Sequence, residues 1–122
     1  MPLLYAFHRG DRIRSSSSPL PLRRTRSDML WCDADGHPNY NRPVRAPFTP
    51  SHERIERPDE LYDICVVMDW NMGTRKRHCG SAIFFHIARP GFTPTEGCVA
   101  IRSRDMCRLL PHLDRRTILQ VL

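Results

Sequence analysis

The sequence predicts a mainly β fold: short strands joined by turns, with one short helix near the C-terminus. Three observations lead there. Eleven prolines in 122 residues exclude long helices, because proline lacks the amide donor and clashes with the preceding turn. Short β-branched or apolar runs are bounded by Gly, Pro, Asn and Asp, as strands between turns are. A hydrophobic content of 40% in a chain of one-domain length is enough to build a core.

The elements follow in order. Residues 2–7, PLLYAF, predict a short strand. Residues 8–27 are rich in Arg, Ser and Pro and contain the Ser15–Ser18 run; with the strand before them they are expected to form a mobile excursion (1–27) of the same domain as 28–122. They show no amphipathic helix of the kind an organelle transit peptide carries. Residues 28–58 are expected to be irregular. Asp35-Gly36 and His37-Pro38 are turn dipeptides, and Pro43, Pro47 and Pro50 interrupt regular runs. Trp31, Tyr40 and Phe48 are expected to anchor this stretch on the core, and Ser51–Glu56 to make one helical turn.

The second half has clearer periodicity. Tyr62–Asp69, YDICVVMD, predicts a buried strand. Residues 70–80, with Asn71, Gly73 and the basic run Arg75–His78, predict a turn or hairpin loop. Ser81–Ala88, SAIFFHIA, predicts a second buried strand, with Ala82, Phe84, His86 and Ala88 on one face and Ile83, Phe85 and Ile87 on the other. A loop marked by Pro90-Gly91 and Pro94 leads to a short strand, GCVAI, at 97–101. Ser103 is the expected N-cap of a helix to about Leu110, with Asp105 in its first turn. Thr117–Leu122 predicts a final strand. There is no internal repeat.

Charge and cysteine usage narrow the function. The net charge is +6, carried by arginines and a single lysine, Lys76. Residues 1–57 hold ten basic against six acidic side chains and the remainder nine against seven, so the excess is mild. Such a surface is either a solvated exterior or an attraction for anionic polymer, lipid or nucleic acid. Nucleic-acid binding interleaves exposed aromatics with basic residues, whereas the aromatics here fall mainly in apolar strands, so no nucleic-acid partner is expected. The five cysteines are odd in number and irregularly spaced, without a C-x-x-C pair, which argues against a disulfide framework, a zinc site and a thioredoxin-type centre. No metal ligand set and no organic cofactor is expected. No run approaches the roughly 20 apolar residues of a membrane helix, and no secretory leader is recognisable.

The chemistry concentrates at His86 and at Cys98, which follows Glu96-Gly97. A short loop joins the two predicted strands, so the imidazole and the thiol can meet. Only a thiolate attacks, so a nucleophilic thiol needs a base beside it. Glycine before it permits a sharp turn, and the amides around Gly97 and Cys98 can bind a developing oxyanion. A lone strand histidine or cysteine is otherwise an ordinary core residue. Cys65, inside a buried strand, and Cys107, inside the helix, are expected to be core. Adjacent His78 and Cys79 would point to opposite faces if they lie on a strand. Tyr62, Asp69 and Asn71 are expected to be structural, and Arg75–Arg77 to be either a solvated loop or a run facing an anionic substrate.

The stretch GSAIFFHIARPGFTPTEGCVAI resembles the L,D-transpeptidase catalytic domain, the YkuD family, in which a histidine, a spacer and Ser/Thr-x-Gly-Cys form the motif. The resemblance extends over roughly 28–122, through WCDADGHPNYNRPVR and SHERIERPDELYDICVVMDWN, and is to the short, compact branch. It implies a β-sandwich or open barrel of short strands with one short C-terminal helix. It also implies that Cys98 is the nucleophile and His86 the general acid/base, acting on peptidoglycan stem peptides in the periplasm or cell envelope. Transfer to a second stem would make a cross-link, transfer to water an L,D-carboxypeptidase, and some β-lactams should acylate Cys98. Three departures stand out. The His86–Cys98 spacer is short, Glu96 replaces a frequent second histidine, and Ala100 replaces a frequent arginine or asparagine. Glu96 and Arg89 are the expected substrate contacts. Family domains carry further strands before the region that begins at Met1, so an N-terminally truncated domain with an unpaired apolar edge is expected. The competing readings are an inactive family member and a basic module binding anionic cell-wall polymer or nucleic acid.

Overall fold

The computed structural model describes residues 1–13, 17–72, 80–92, 95 and 97–122. Among them the chain forms eight strands in two sheets and one short helix, so the fold is mainly β as the proline content and strand patterning predict. The larger sheet has β1 (Leu3–His8), β2 (Leu22–Arg24), β6 (Ile64–Met68), β7 (Phe84–Ile87) and β8 (Val99–Ile101) in the order β2-β1-β6-β7-β8. The pairs β1–β6 and β6–β7 are antiparallel; β1–β2 and β7–β8 are parallel. The smaller sheet has β3 (Met29–Cys32) between β4 (Arg42–Arg45) and β5 (His52–Arg54), antiparallel to both.

Strand alternation divides the core in two. Ile64, Val66 and Met68 of β6 and Phe85 and Ile87 of β7 face one side, where they meet Met106, Leu110 and Leu113. Cys65 and Val67 of β6 and Phe84 of β7 face the other, against Trp31, Ile55, Leu61 and Tyr62. In β1 a register shift between Leu3 and Tyr5 sends Leu3 and Ala6 to the first cluster and Phe7 to the second, because the extra residue of a bulge resets the period of two.

The helix α1 (Ser103–Leu109) and a 3-10 turn (Leu110–His112) cover the first side. Met106, Leu110 and Leu113 are buried at i, i+4 and i+7, the stripe that one helical face presents. The N-cap is Arg102, without a side-chain capping bond; Ser103 is the first helical residue, not the cap expected of it. Cys107 is exposed, against the expectation of a core position, because it follows Met106 by one residue and so faces outward.

The first half is more regular than its prolines suggest. Residues 28–58 hold the three-stranded sheet, and Ser51–Glu56 carries β5 where a helical turn was expected. Pro43 fits β4 because β4 is an edge strand, where a missing amide donor is tolerated. Trp31 and Tyr40 are buried, while Phe48 packs edge-on to His37 and His52. The Arg/Ser/Pro-rich stretch contributes β2. The strand begun by PLLYAF is interior, between β2 and β6, and among the described residues the sheet's outer strand on that side is β2, with Arg23 and Arg24 exposed. At the C-terminus the expected strand 117–122 is reduced to an isolated bridge, Pro2 to Ile118, with Leu3 N donating to Thr117 O at 3.3 Å and Leu119 N to Met1 O at 2.9 Å.

Candidate functional site

The face of β7 that packs toward the smaller sheet carries His86. The side chain is buried because β6, β8 and the Leu61–Tyr62 segment surround it. Its Nδ1 lies 2.8 Å from the carbonyl oxygen of Ile87. A carbonyl only accepts, so Nδ1 carries the proton in the neutral ring and Nε2 keeps its lone pair. Burial lowers the affinity of His86 for a second proton below the ordinary imidazole range, the Ile87 carbonyl partly offsets this, and the positive Arg57 and Arg89 add to the lowering. The Tyr62 ring stands edge-on to the imidazole, 5.3 Å between centroids, and fixes its plane.

Cys98 precedes β8. The parallel register pairs Phe85 with Val99 and His86 with Ala100, so Cys98 stands beside Phe84 and, by alternation, on the same face as His86. Its Sγ donates to Ala82 O at 3.3 Å and accepts from Phe84 N at 3.4 Å. Gly97 has φ +86°, a left-handed conformation that favours glycine, so the chain turns immediately before the thiol. Thr95 Oγ1 closes that turn on Cys98 O at 2.6 Å.

His86 and Cys98 line one cavity of about 450 Å³, the size of a small-ligand site. Arg89 lines it too. Glu96, the other expected substrate contact, lies outside the described residues, as do the basic run Arg75–His78 and Cys79. Several lining residues carry no signal in the sequence. Glu53 falls within the stretch Ser51–Glu56 whose local pattern suggested a helical turn, Arg57 follows that stretch, and Asp33 follows a buried strand. Only the packing of the small sheet against β7 brings them to the site. Tyr62, expected to be structural, also lines the cavity and donates to Glu53 Oε1 at 3.1 Å. Its phenol is pushed well above the ordinary range by burial and by Glu53, so it remains a neutral donor.

The neighbouring thiol, Cys65, pairs with His86 across β6–β7 and is fully buried. Burial, reinforced by the nearby Cys98, raises its pKa well above the usual thiol range; it stays protonated and packs as a small apolar side chain, as expected. Among the described residues no three His, Cys, Asp or Glu side chains are grouped as metal ligands, and no helix is long and apolar enough to cross a membrane.

No curated protein and no solved structure matches the chain. The family profile of the L,D-transpeptidase catalytic domain, YkuD, matches residues 5–121. The motif around His86 and Cys98, the mainly β fold and this match over nearly the whole length agree, and the chain belongs to the L,D-transpeptidase catalytic-domain family.

Proposed function

We propose that the protein is a cysteine acyltransferase of the L,D-transpeptidase type, with Cys98 as nucleophile and His86 as general acid/base. The observation that carries this reading is the Nδ1–Ile87 bond, which leaves Nε2 of a buried, neutral imidazole as the free base in the cavity that also holds Cys98. Cys98 Sγ attacks the carbonyl of the third residue of a peptidoglycan stem peptide, and His86 Nε2 takes the thiol proton. The amides of Gly97 and Cys98 hold the tetrahedral oxyanion. Collapse breaks the C–N bond, His86 returns the proton to the departing D-alanine amine, and a thioester on Cys98 remains. An amine of a second stem then forms the cross-link, or water releases the acid. Arg89, at the end of β7, and Glu96 contact the substrate. Residues 1–27 and 28–122 work as one catalytic unit, and the substrate places the activity at the cell envelope.

The test is intact-mass analysis after incubation with a stem tetrapeptide. An acyl adduct on the wild-type chain, absent from Cys98→Ala, is the expected result. A chain that reacts with iodoacetamide at Cys98 yet never takes up the acyl group would be an inactive member of the family.

A further inference from the structure

A second cleft lies at the other end of the space between the two sheets. The His86–Cys98 cavity is bordered by β7, Cys98 and β5. In the large sheet β1 and β2 lie beyond β6 on the far side, and in the small sheet β4 is the far edge. Where these strands meet, a groove of about 210 Å³ opens, lined among the described residues by Phe7, Arg23, Met29, Pro43, Val44 and Arg45. It shares none of these with the His86–Cys98 cavity. β2 stands three strand spacings from β7, about 14 Å.

The groove is basic and carries no counter-charge. Arg23 pairs with Phe7 across β1–β2, and Arg45 pairs with Met29 across β3–β4. Paired residues share a face of their sheet, so one arginine comes from each sheet, beside the apolar Phe7 and Met29. The Arg23 guanidinium carbon lies 4.2 Å from the centre of the Tyr5 ring, a cation–π contact that orients the planar fork and leaves its hydrogen-bonding edges open. Arg24, Arg26 and Arg42 are exposed along the same edges. Among the described residues the ion pairs are Arg9–Asp11, Arg12–Asp63 and Arg57–Asp59. None of the five arginines at these edges is therefore neutralised, and Asp28, close to them in the chain, joins no ion pair.

The surroundings select a polyanion without bases or acyl chains. An acidic peptide would dock by adding a strand to an open edge, but β4 is a poor template. Ala46 N bonds to Asp28 O, so alternation turns the Val44 amide inward as well. Pro43 has no amide, and within 43–46 only Arg45 offers an outward donor. A nucleic-acid strand would stack its bases on exposed aromatics, and a lipid surface would take up exposed apolar side chains. Among the described residues the exposed large hydrophobics are Trp70, Phe92, Leu109, Ile118, Val121 and Leu122, none of them on β1 to β4. A guanidinium fork matches phosphate with two parallel bonds. We infer that this groove is a second binding site, for a linear polymer of polyol phosphodiesters, and that it tethers the chain independently of the chemistry at Cys98.

The experiment measures binding of the full chain to labelled poly(glycerol phosphate) by fluorescence anisotropy over a range of salt. Polyglutamate, single-stranded DNA and phosphatidylglycerol vesicles are the rival polyanions, and the phosphate polymer should bind about tenfold tighter than each. Arg23→Gln/Arg45→Gln should weaken its binding at least about tenfold and flatten the salt dependence, because fewer phosphate contacts release fewer counterions. Arg115→Gln/Arg116→Gln removes the same charge from exposed positions outside the groove and should change affinity by less than about threefold. Cys98→Ala should bind as the wild type does, so a failure of the transferase reading leaves this site standing. On the wild-type chain, phenylglyoxal should modify Arg23 and Arg45 more slowly once polymer is bound, with Arg115 unaffected; this locates the site even if a variant does not fold. Absence of binding would overturn the inference, as would a rival bound as tightly, equal losses in the two double variants, or equal protection of all three arginines.

Discussion

Asn41 is the position where a single polar side chain controls the most structure near the site. It is buried at 1% exposure, and its side chain makes four hydrogen bonds. Oδ1 accepts from Trp31 Nε1 at 3.2 Å and from Ala82 N at 3.2 Å. Nδ2 donates to the carbonyls of Trp70 and Asn71 at 3.0 and 2.9 Å. Its φ is +58°, which asparagine tolerates better than alanine. Asn41→Ala therefore orphans two buried donors at about 1–3 kcal/mol each and adds about 1 kcal/mol for the left-handed backbone. The expected loss is roughly 4 kcal/mol, a large part of the about 5–15 kcal/mol that stabilises a domain. That corresponds to a fall in Tm of roughly 12–20 °C at this chain length. Asn41→Gly should recover about 1 kcal/mol of this by relieving the backbone alone. Because Ala82 O accepts the Cys98 thiol, loosening Ala82 should also slow acylation. The assays are thermal unfolding by circular dichroism and the acylation time course. A Tm within about 3 °C of wild type with an unchanged rate would show that the Asn41 bonds are replaceable by water and refute the argument.

Further outcomes follow from the same geometry. His86 must be neutral to act as base, and its pKa lies below the ordinary 6.5. The acid limb of the acylation rate should therefore fall below that pH, and a limb centred above it would contradict the buried, Ile87-bonded imidazole. The same shift makes folding stability full above the unfolded value and lost as pH falls below it, because the unfolded chain binds the proton more tightly. Cys65→Ser should cost about 1–3 kcal/mol by burying a hydroxyl, measured as urea midpoint, whereas the exposed Cys107→Ser should change it by less than about 0.5 kcal/mol. Both should still form the acyl adduct, and Cys98→Ser should not. Gly97→Ala should cost about 1–2 kcal/mol through φ and slow acylation by disturbing the turn before the thiol; among the described residues its Cβ would meet Ile83 Cδ1 at 3.4 Å, an ordinary contact.

The strands that bear the site were legible because their periodicity is local. SAIFFHIA alternates in sequence as β7 alternates in space, and YDICVVMD does the same for β6. Residues 28–58 were not, because their strands are short, carry Pro43 and gain their partners only from one another. The helix near the C-terminus was legible from Ser103 and from Asp105 in its first turn, but the cap was misplaced by one residue, since Ser103 is itself the first helical residue and Arg102 the cap. The His86–Cys98 pair was visible as a motif. Glu53, Arg57 and Asp33 were invisible because a cavity wall assembled from a second sheet leaves no spacing rule in the chain. Cys107 misled for the opposite reason: composition favours burial of cysteine, and one residue of helical phase decided against it.

The division of the core by the large sheet bears on how this chain can change. Substitutions at Met106, Leu110 or Leu113 reach the reactive face only through the backbone of β6 and β7, while those at Trp31, Ile55 or Phe84 border it directly. The helix side thus serves as a reserve of stability that can be improved without retuning the chemistry. A directed-evolution library meant to broaden substrate range would do best to fix stabilising changes there first, and only then diversify the small sheet.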